Sequence, residues 1–467
     1  MIELMIPLEQ AGGRHLYDQI YEYIKNEIKK GKLLSNERLP STRLLAQNLQ
    51  ISRSTVDLAY EQLAAEGYIE SRPCKGYFVC KVEELYHLDQ KEPRSLPGPS
   101  IVPEFQYDFS PNKIDVNHFP MSTWKRISKT VLMDNQENIL ESGPQKGEYN
   151  LRETICHYLH ASRGVECDSE QLIIGAGNDY LLLLLQRMFG SGLIMAIENP
   201  TYRRAYQIFS TAGCKMQTVG LDESGMNVSE LEKSGANIAY VMPAHQFPTG
   251  IVMPIGRRME LLNWAGMSED RFIIEDDYDS EFRYKGKPIP SLQASDHKGK
   301  VIYIGTFSKS IAPAIRVSYM VLPKVLLPVY EATCSFISCT VPRVDQAVLN
   351  EFIRGGHFER YLNKMRKVYR MKHDLVMEEL KRLKDYFEIR GEYAGLHVLL
   401  KCHPQSGLCV EEILEKASTQ GIRLYGMSAY YVGEQSGENA ILLGYGGLRE
   451  DEIKNGIQAL RTILKGI

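Results

Sequence analysis

The 467-residue sequence lacks any apolar run that approaches the roughly 18 residues needed to span a bilayer. The run Leu181–Leu185 is soon followed by Gln186 and Arg187. A large excess of one charge is also missing, because the sequence contains 55 Lys and Arg residues and 58 Asp and Glu residues. The first ten residues lack a basic region followed by an apolar core, so no secretory signal is expected. We therefore expect neither membrane anchoring nor attachment to nucleic acid through bulk charge.

Paired cysteines are missing as well. The nine cysteines include no C-x-x-C motif, and Cys334 and Cys339 have no nearby histidine that would favour a zinc site. We expect reduced thiols in a cytoplasmic protein. With 43% hydrophobic and 24% charged residues, the composition is typical of a globular chain with two or three domains.

Residues 1–80 have the pattern of a small independent domain. Apolar residues at every fourth position over Leu16–Ile28 predict an amphipathic first helix. Ser41 and Ser52 are placed to cap two further helices. Two strand-like runs follow at 68–70 and 76–79. Three helices and a small hairpin predict a winged helix-turn-helix.

The third predicted helix begins with residues suited to DNA. In a helix-turn-helix, the second helix of the pair enters the major groove. Its first turn offers the Arg53 guanidinium for guanine edges and hydroxyls for phosphates, although Ser52 could be only a cap and Arg53 only a solvated charge. Residues 1–80 contain ten basic and ten acidic residues. Binding would therefore depend on where the charges lie and on dimerisation, with strong salt dependence.

Three runs in this domain, Leu39–Ala46, Ile51–Val56 and Leu63–Ile69, resemble the GntR class of bacterial regulators. Asp57 stands where members often carry a basic residue, so one phosphate contact is expected to be missing. The resemblance implies DNA contacts by one residue before the second helix, by the start of the third helix and by the wing. These residues are Arg43, Ser52, Arg53, Ser54, Thr55, Lys75 and Gly76.

Residues 81–106 contain four prolines and mixed charges, which predict a partly extended linker. From residue 107 to residue 467, helical and strand-like segments alternate. This alternation favours an α/β domain with a mostly parallel sheet.

The run Thr306-Phe307-Ser308-Lys309 follows a strand-like stretch at 301–304, with Arg316 seven residues after the lysine. An amine at a strand end, flanked by hydroxyls and an arginine, suits pyridoxal phosphate, whose aldehyde is captured by a lysine. Such a lysine is more often an ordinary surface residue, so the interpretation needs support from elsewhere in the chain.

Two other strand ends provide that support. Gly175-Ala176-Gly177 follows an apolar strand and opens a helix, which is typical of an anion site, although such turns also merely join elements. Glu275-Asp276-Asp277 ends another strand. These acids indicate a metal site or a carboxylate facing a cationic ring, or else a solvated loop at the sheet edge.

These motifs, with a Pro-Thr-Gly run at 248–250 between them, resemble in their order the aspartate aminotransferase superfamily, fold type I. The resemblance implies that Lys309 forms an aldimine with pyridoxal phosphate. Asp276, or Asp277 as the next candidate, pairs with the ring nitrogen. Tyr278 bonds the ring hydroxyl, and Tyr202 stacks on the ring. The residues implied for the phosphate are Gly177, Asn178, Thr306, Ser308 and Arg316.

A GntR-type domain fused to an aminotransferase-like domain resembles the MocR regulators, and the runs at 245–250 and 275–284 look like that family's own forms. The resemblance implies a cytoplasmic bacterial transcription regulator that binds operator DNA. It also implies a homodimer that looks domain-swapped. An amine effector, or the cofactor itself, would change how the winged helices bind DNA.

The sequence departs from aminotransferases at two positions. Phe247 replaces the usual asparagine that bonds the ring hydroxyl, and Leu442 replaces the arginine that binds a substrate carboxylate. Arg423 and Arg449 are nearby in sequence and could substitute. Arg204 resembles the residue that holds an effector carboxylate in GABA-responsive members, or is a helix-face charge. The missing arginine favours a non-carboxylate amine or pyridoxal phosphate itself as the effector.

The alternative function is a working aminotransferase with an accessory N-terminal domain. Phe247 and Leu442 argue against efficient turnover. The effector, the operator sequence and the sign of regulation stay open.

Overall fold

The computed structural model describes residues 4, 6–8, 14–81, 105–134, 138–284, 289–433 and 438–466. The chain divides into two compact units, Met1–Val102 and Pro103–Ile467. Most of the linker predicted at 81–106 lies outside the described residues. Within the described ranges, no helix combines the length and the apolar character needed to cross a membrane.

The N-terminal unit is a winged helix-turn-helix, as predicted. Ser41 and Ser52 cap the second and third helices, since their hydroxyls accept hydrogen bonds from the amides of Leu44 and Thr55. The apolar faces of the helices and the wing form one core. The elements are α1 (Leu16–Lys29), α2 (Thr42–Leu49), α3 (Arg53–Ala65), β1 (Ile69–Arg72) and β2 (Gly76–Val79), with β1 and β2 antiparallel.

The large unit begins with a short strand and then alternates strands and helices. Its first part contains β3 (Tyr107–Asp108), α4 (Met121–Asp134), α5 (Tyr149–Arg163), β4 (Leu172–Gly175), α6 (Asn178–Phe189), β5 (Ile194–Asn199), α7 (Arg203–Thr211), β6 (Lys215–Asp222), β7 (Gly225–Met226), α8 (Val228–Lys233), β8 (Ile238–Val241), α9 (Ile255–Gly266), β9 (Phe272–Asp277), β10 (Val301–Thr306) and β11 (Ser318–Val321).

Its second part is built on long helices and a smaller sheet. The elements are α10 (Leu327–Cys334), α11 (Arg343–Arg354), α12 (His357–Leu380), β12 (Phe387–Arg390), β13 (His397–Cys402), α13 (Val410–Thr419), β14 (Ile422–Arg423), β15 (Tyr425–Gly426), β16 (Ala440–Gly444) and α14 (Glu450–Lys465).

The main sheet has eight strands in the order β4-β11-β10-β9-β8-β5-β6-β7. It is mostly parallel, as predicted, but β11 runs antiparallel to both neighbours and β7 antiparallel to β6. Ile273 and Ile274 on β9 belong to different core clusters, which is the alternation of a sheet buried on both faces. The carboxyl ends of β8, β9 and β10 lie at one edge, where open α/β sheets bind ligands.

The smaller sheet is antiparallel in the order β12-β13-β16-β15. Leu442 on β16 lies opposite Leu399 and Tyr425 and is fully buried. The first strand after the predicted linker, β3, pairs with β14. The start of the large unit is thereby fixed to its C-terminal part.

Candidate functional site

The residues predicted from the sequence to hold pyridoxal phosphate come together at the carboxyl edge of the main sheet. One cavity is lined by Lys309 just after β10, by Asp276 at the end of β9 and by Asn178 at the start of α6. Separate segments of the sequence therefore form one site. The other lining residues are Asn112, Asp179, Tyr202, Arg204, Met242, Phe247, Tyr278, Thr306, Ser308 and Arg316.

Lys309 is positioned as a nucleophile. Its side-chain nitrogen donates a hydrogen bond to the carbonyl of Pro111, 2.6 Å away. Burial lowers the pKa of Lys309 to about 8, and the Asp279 carboxylate opposes that shift only in part. About a tenth of the amine is therefore in the neutral form, which attacks an aldehyde, at pH 7.

Asp276 and Asp277 have different surroundings, which distinguishes the two candidates for the ring nitrogen. Asp276 lines the cavity and accepts hydrogen bonds from Asn178, over 3.2 Å, and from the hydroxyl of Tyr240. Burial raises the pKa of Asp276 to about 7. Asp277 instead accepts from Arg163 over 2.8 Å and from a buried tyrosine, Tyr303, over 2.6 Å. Asp276 is therefore the carboxylate that faces the cavity.

The turn before α6 and Arg316 form a cradle suited to an anion. Gly177 has a φ of +94°, and a Cβ there would lie 2.1 Å from the Arg316 guanidinium. The carboxylate of Asp179 lies 3.7 Å from Arg316. At the end of β10, the Thr306 hydroxyl oxygen lies 2.8 Å from the Ser318 hydroxyl and accepts from the Ser308 amide over 3.1 Å. A helix N-terminus, an arginine and a hydroxyl thus converge, which fits a phosphate group.

Aromatic rings form the cavity wall. Phe247 lies edge-on to Tyr202 and to Tyr278, with ring centroids 6.4 and 5.9 Å apart. Phe247 is 7% exposed and has no group that could donate to a ring hydroxyl. The wall is suited to a flat ring, with Tyr278 supplying a hydroxyl.

Sequence reasoning missed the functional significance of a buried group beside this wall. His245, Asp279 and His397 have potential ligand atoms within 4.8 Å of one another. Nδ1 of His245 lies 3.0 Å from an Asp279 carboxylate oxygen, so we interpret the pair as a hydrogen-bonded dyad. His245 and Asp279 occurred in the family-like runs, but only the folded chain shows that they touch.

The residues considered for a carboxylate effector are placed differently from one another. Arg204 is exposed at the cavity rim and lies 3.4 Å from Asp179. Arg423 packs on the Tyr425 ring, and Arg449 binds Glu452 at the start of α14. Neither Arg423 nor Arg449 is among the described residues that line the cavity.

The residues predicted to bind DNA lie on the N-terminal unit. Arg43, Arg53 and Lys75 are exposed. The hydroxyl of Ser52 lies 2.9 Å from that of Ser54 and 2.7 Å from that of Thr55, so the cap and the first turn of α3 share one network. Arg53 lies 3.4 Å from the Asp57 carboxylate, one turn further along α3. At the tip of the wing, Lys75 lies in the β1–β2 turn and Gly76 is the first residue of β2.

Comparison with known proteins identifies the family. The model for bacterial regulatory proteins of the gntR family matches residues 16–79, and that for aminotransferase class I and II matches residues 107–459. The uncharacterized HTH-type transcriptional regulator YdeL of Bacillus subtilis is 40% identical over 96% of this chain and 97% of its own. The probable rhizopine catabolism regulatory protein MocR of Rhizobium meliloti is 31% identical over 98% and 95%. The chain belongs to the MocR-type regulators.

The MocR-type architecture confirms the predicted union of a GntR domain with a fold type I aminotransferase-like domain. The Pyrococcus horikoshii kynurenine aminotransferase, solved in complex with PMP, has a TM-score of 0.69 and 26% identity, covering 82% of this chain and 98% of its own. The fold and the family imply DNA binding and pyridoxal phosphate binding. The individual contact residues stay predictions.

Proposed function

We propose that this MocR-type chain regulates transcription by coupling the occupancy of Lys309 to the way its N-terminal unit binds operator DNA. One observation carries the proposal: Lys309, Asp276 and Arg316 line one cavity, and the Arg316 guanidinium lies against Gly177. A nucleophilic amine, a buried carboxylate and an anion site are what pyridoxal phosphate requires.

Each group has a role that follows from its surroundings. When bound, pyridoxal phosphate supplies an aldehyde that condenses with amines and a ring that withdraws electrons. The buried Lys309 amine would hold it, and Asp276 would keep a proton on the ring nitrogen. Tyr202 would pack on the ring, and Tyr278 would donate to the ring hydroxyl. The residues proposed for the phosphate are Gly177, Asn178, Thr306, Ser308 and Arg316.

The effector is proposed to be an amine that needs no carboxylate clamp deep in the cavity, or pyridoxal phosphate itself. Leu442 is fully buried between apolar strands and offers no bidentate partner for a carboxylate. Arg204 lies at the rim, where it could contact the outer end of an effector. An effector can change DNA binding only if it binds one conformation of the protein more tightly than another, and those conformations differ in their affinity for DNA.

On the DNA side, we propose residues 1–80 as the binding domain, 81–106 as the linker and 107–467 as the sensing domain. Arg53, Ser54 and Thr55 would contact DNA from α3, Arg43 from α2 and Lys75 from the wing. We further propose a domain-swapped homodimer that acts in the cytoplasm. The balanced charge of the N-terminal unit supports dimerisation, because two weak sites joined together bind more tightly than one.

The test compares the wild-type protein with Lys309→Ala by visible absorbance and by operator binding with and without added pyridoxal phosphate. We expect a cofactor band that depends on Lys309 and a change of DNA affinity on loading, seen only in the wild type. Lys113→Ala is the matched control, because Lys113 follows Pro111 closely but pairs with Asp108. A missing wild-type band, with DNA binding unchanged by the cofactor, would contradict the proposal.

A second candidate function is amino-group transfer, favoured by the same juxtaposition of Lys309, Asp276 and Tyr278. The absence of a hydrogen-bond donor at Phe247 and of an arginine at Leu442 opposes it. Sustained production of a keto acid at ordinary enzyme rates, without operator binding, would favour this second function.

A further inference from the structure

A short chain of buried hydrogen bonds leads from Asp279 through His245 to Tyr278. Nδ1 of His245 lies 3.0 and 3.1 Å from the two carboxylate oxygens of Asp279. The same nitrogen lies 3.0 Å from the hydroxyl oxygen of Tyr278. His245 is 2% exposed and Asp279 is 3% exposed, so water does not compete for these groups. Tyr278 lines the cavity with Lys309.

The direction of each hydrogen bond follows once Asp279 is taken as ionised. An ionised carboxylate only accepts, so the Asp279–His245 contact requires a proton on Nδ1. A nitrogen that carries its proton has no lone pair in the ring plane with which to accept from Tyr278. The Tyr278 oxygen can therefore only accept from His245, and its own proton must point elsewhere. Because Tyr278 lines the cavity, we take the cavity as that direction.

We propose that His245 and Asp279 are positioning residues that make the Tyr278 hydroxyl a one-way donor to the ring oxygen of the bound cofactor. This inference rests on the proposed function, since the ring belongs to pyridoxal phosphate. Phe247 cannot make the bond to the ring hydroxyl that an asparagine makes at this position in aminotransferases. The chain thus retains one directed donor although Phe247 offers none.

The packing around His245 holds this arrangement in place. Gly395 has a φ of +76°, and a Cβ there would lie 2.1 Å from the His245 ring. The absence of a Cβ at Gly395 therefore leaves the room that the His245 ring occupies. The His397 ring lies 5.0 Å from the His245 ring. These contacts pack the His245 ring beside Asp279.

Charged groups around the tyrosine keep its proton in place. The carboxyl groups that face Tyr278 are those of Asp279, Asp276, Asp277 and Glu198, and Lys309 lines the same cavity. Burial and these carboxylates raise the pKa of Tyr278 well above its usual value. The hydroxyl therefore stays protonated and able to donate over the accessible pH range.

The test follows the pH midpoint of the cofactor's absorbance band in the full chain. Asp279→Asn keeps the size of the side chain but allows its amide to donate to Nδ1, which reverses the chain of hydrogen bonds. Without a donor, the ring oxygen keeps its own proton to higher pH. We expect the midpoint to rise by about one unit in Asp279→Asn and in Tyr278→Phe. His245→Gln provides a second variant if Asp279→Asn folds poorly.

The double variant Asp279→Asn/Tyr278→Phe distinguishes a role of Asp279 in orienting Tyr278 from a general role in holding the structure. If the pair acts only through Tyr278, the double variant has the midpoint of Tyr278→Phe alone. His397→Asn, a change of a buried histidine in the same cluster, is expected to lower thermal stability without moving the midpoint. An unchanged midpoint in Asp279→Asn, or shifts that add in the double variant, would overturn the inference.

Nitrogen NMR of labelled histidine in the cofactor-free protein gives a readout that needs no cofactor. We expect His245 to carry its proton on Nδ1 in the wild type and to lose that preference in Asp279→Asn. A wild-type His245 protonated only on Nε2 overturns the inference even if the cofactor binds. Absence of a cofactor band together with the Nδ1 proton would instead reject the proposed function and leave the dyad's orienting role supported.

Discussion

The Asn178 amide donates a hydrogen bond to the Asp276 carboxylate across 3.2 Å, joining the first residue of α6 to the end of β9. The turn suited to a phosphate and the carboxylate suited to the ring nitrogen are therefore one connected unit. A ligand that fills both is held at a fixed distance between them. Changes at either end are expected to alter cofactor binding.

Replacing Asp276 with asparagine should change how stability depends on pH. In the folded protein without cofactor, burial raises the pKa of Asp276 to about 7, above its ordinary value of about 4. The folded state therefore holds more protons than the unfolded state between these values, and wild-type stability falls as pH rises through that window. An amide does not titrate, so Asp276→Asn should gain relative stability, by at most about 4 kcal/mol above pH 7. Denaturant unfolding at several pH values measures the difference.

The same substitution should weaken cofactor binding, because an amide cannot keep a proton on the ring nitrogen. Glu275→Gln is the control. Glu275 is also buried with a raised pKa, but it accepts from the amides of Leu292 and Gln293. Equal loss of cofactor affinity in both variants would contradict the role of Asp276.

Loading of the cofactor onto Lys309 should speed up as pH rises and level off above about pH 8. Burial lowers the pKa of Lys309 to about 8, so its reactive neutral form predominates above that pH. The rate of cofactor addition to an exposed lysine analogue, Nα-acetyl-lysine, should continue to rise over this range because its ε-amine has a pKa of about 10.4. Stopped-flow absorbance over this range gives both profiles. A wild-type rate that follows the analogue would show that the amine is not desolvated.

Gly177→Ala should reduce cofactor affinity at least about tenfold, because the added Cβ would lie 2.1 Å from the Arg316 guanidinium and would displace it. Gly190→Ala is a matched control at the other end of α6. Gly190 also has a positive φ, +67°, but a Cβ there meets nothing within 4 Å. Equilibrium titration with the cofactor compares them. Equal loss in both would point to backbone strain rather than to the cradle.

Asp57→Ala should strengthen operator binding several-fold. The Asp57 carboxylate lies 3.4 Å from Arg53 and neutralises a guanidinium that faces away from the core. Removing the acid leaves one more net positive charge at the start of α3, so the slope of log affinity against log salt should steepen by about one. Fluorescence anisotropy at several salt concentrations measures the slope. Glu61→Ala removes the same charge elsewhere on α3, and an identical effect there would indicate bulk charge only.

Local signals were sufficient to predict the small domain. The serine caps and the apolar period of α1 are sequence-local, and the structure reproduces them. The mostly parallel sheet followed from the alternation of segments. The antiparallel β11 did not, since strand direction depends on which neighbour a strand finds in the folded sheet.

The sequence predicted those parts of the candidate site that consist of a motif at a strand end. It did not predict the parts that depend on contacts between side chains far apart in the sequence. Lys309 and the turn at Gly177 were found from the residues beside them. The distinction between Asp276 and Asp277 required Arg163, more than a hundred residues away. The His245–Asp279 dyad similarly required the loops after β8 and β9 to meet.

The hydrogen bond from Lys309 to the Pro111 carbonyl connects the reactive amine to the segment after β3. Pro111 lies three residues after β3, the strand that fixes the start of the large unit to β14. An amine that has condensed with an aldehyde cannot donate the same hydrogen bond to the Pro111 carbonyl. We therefore expect loading of Lys309 to break this hydrogen bond and to loosen the segment that follows β3.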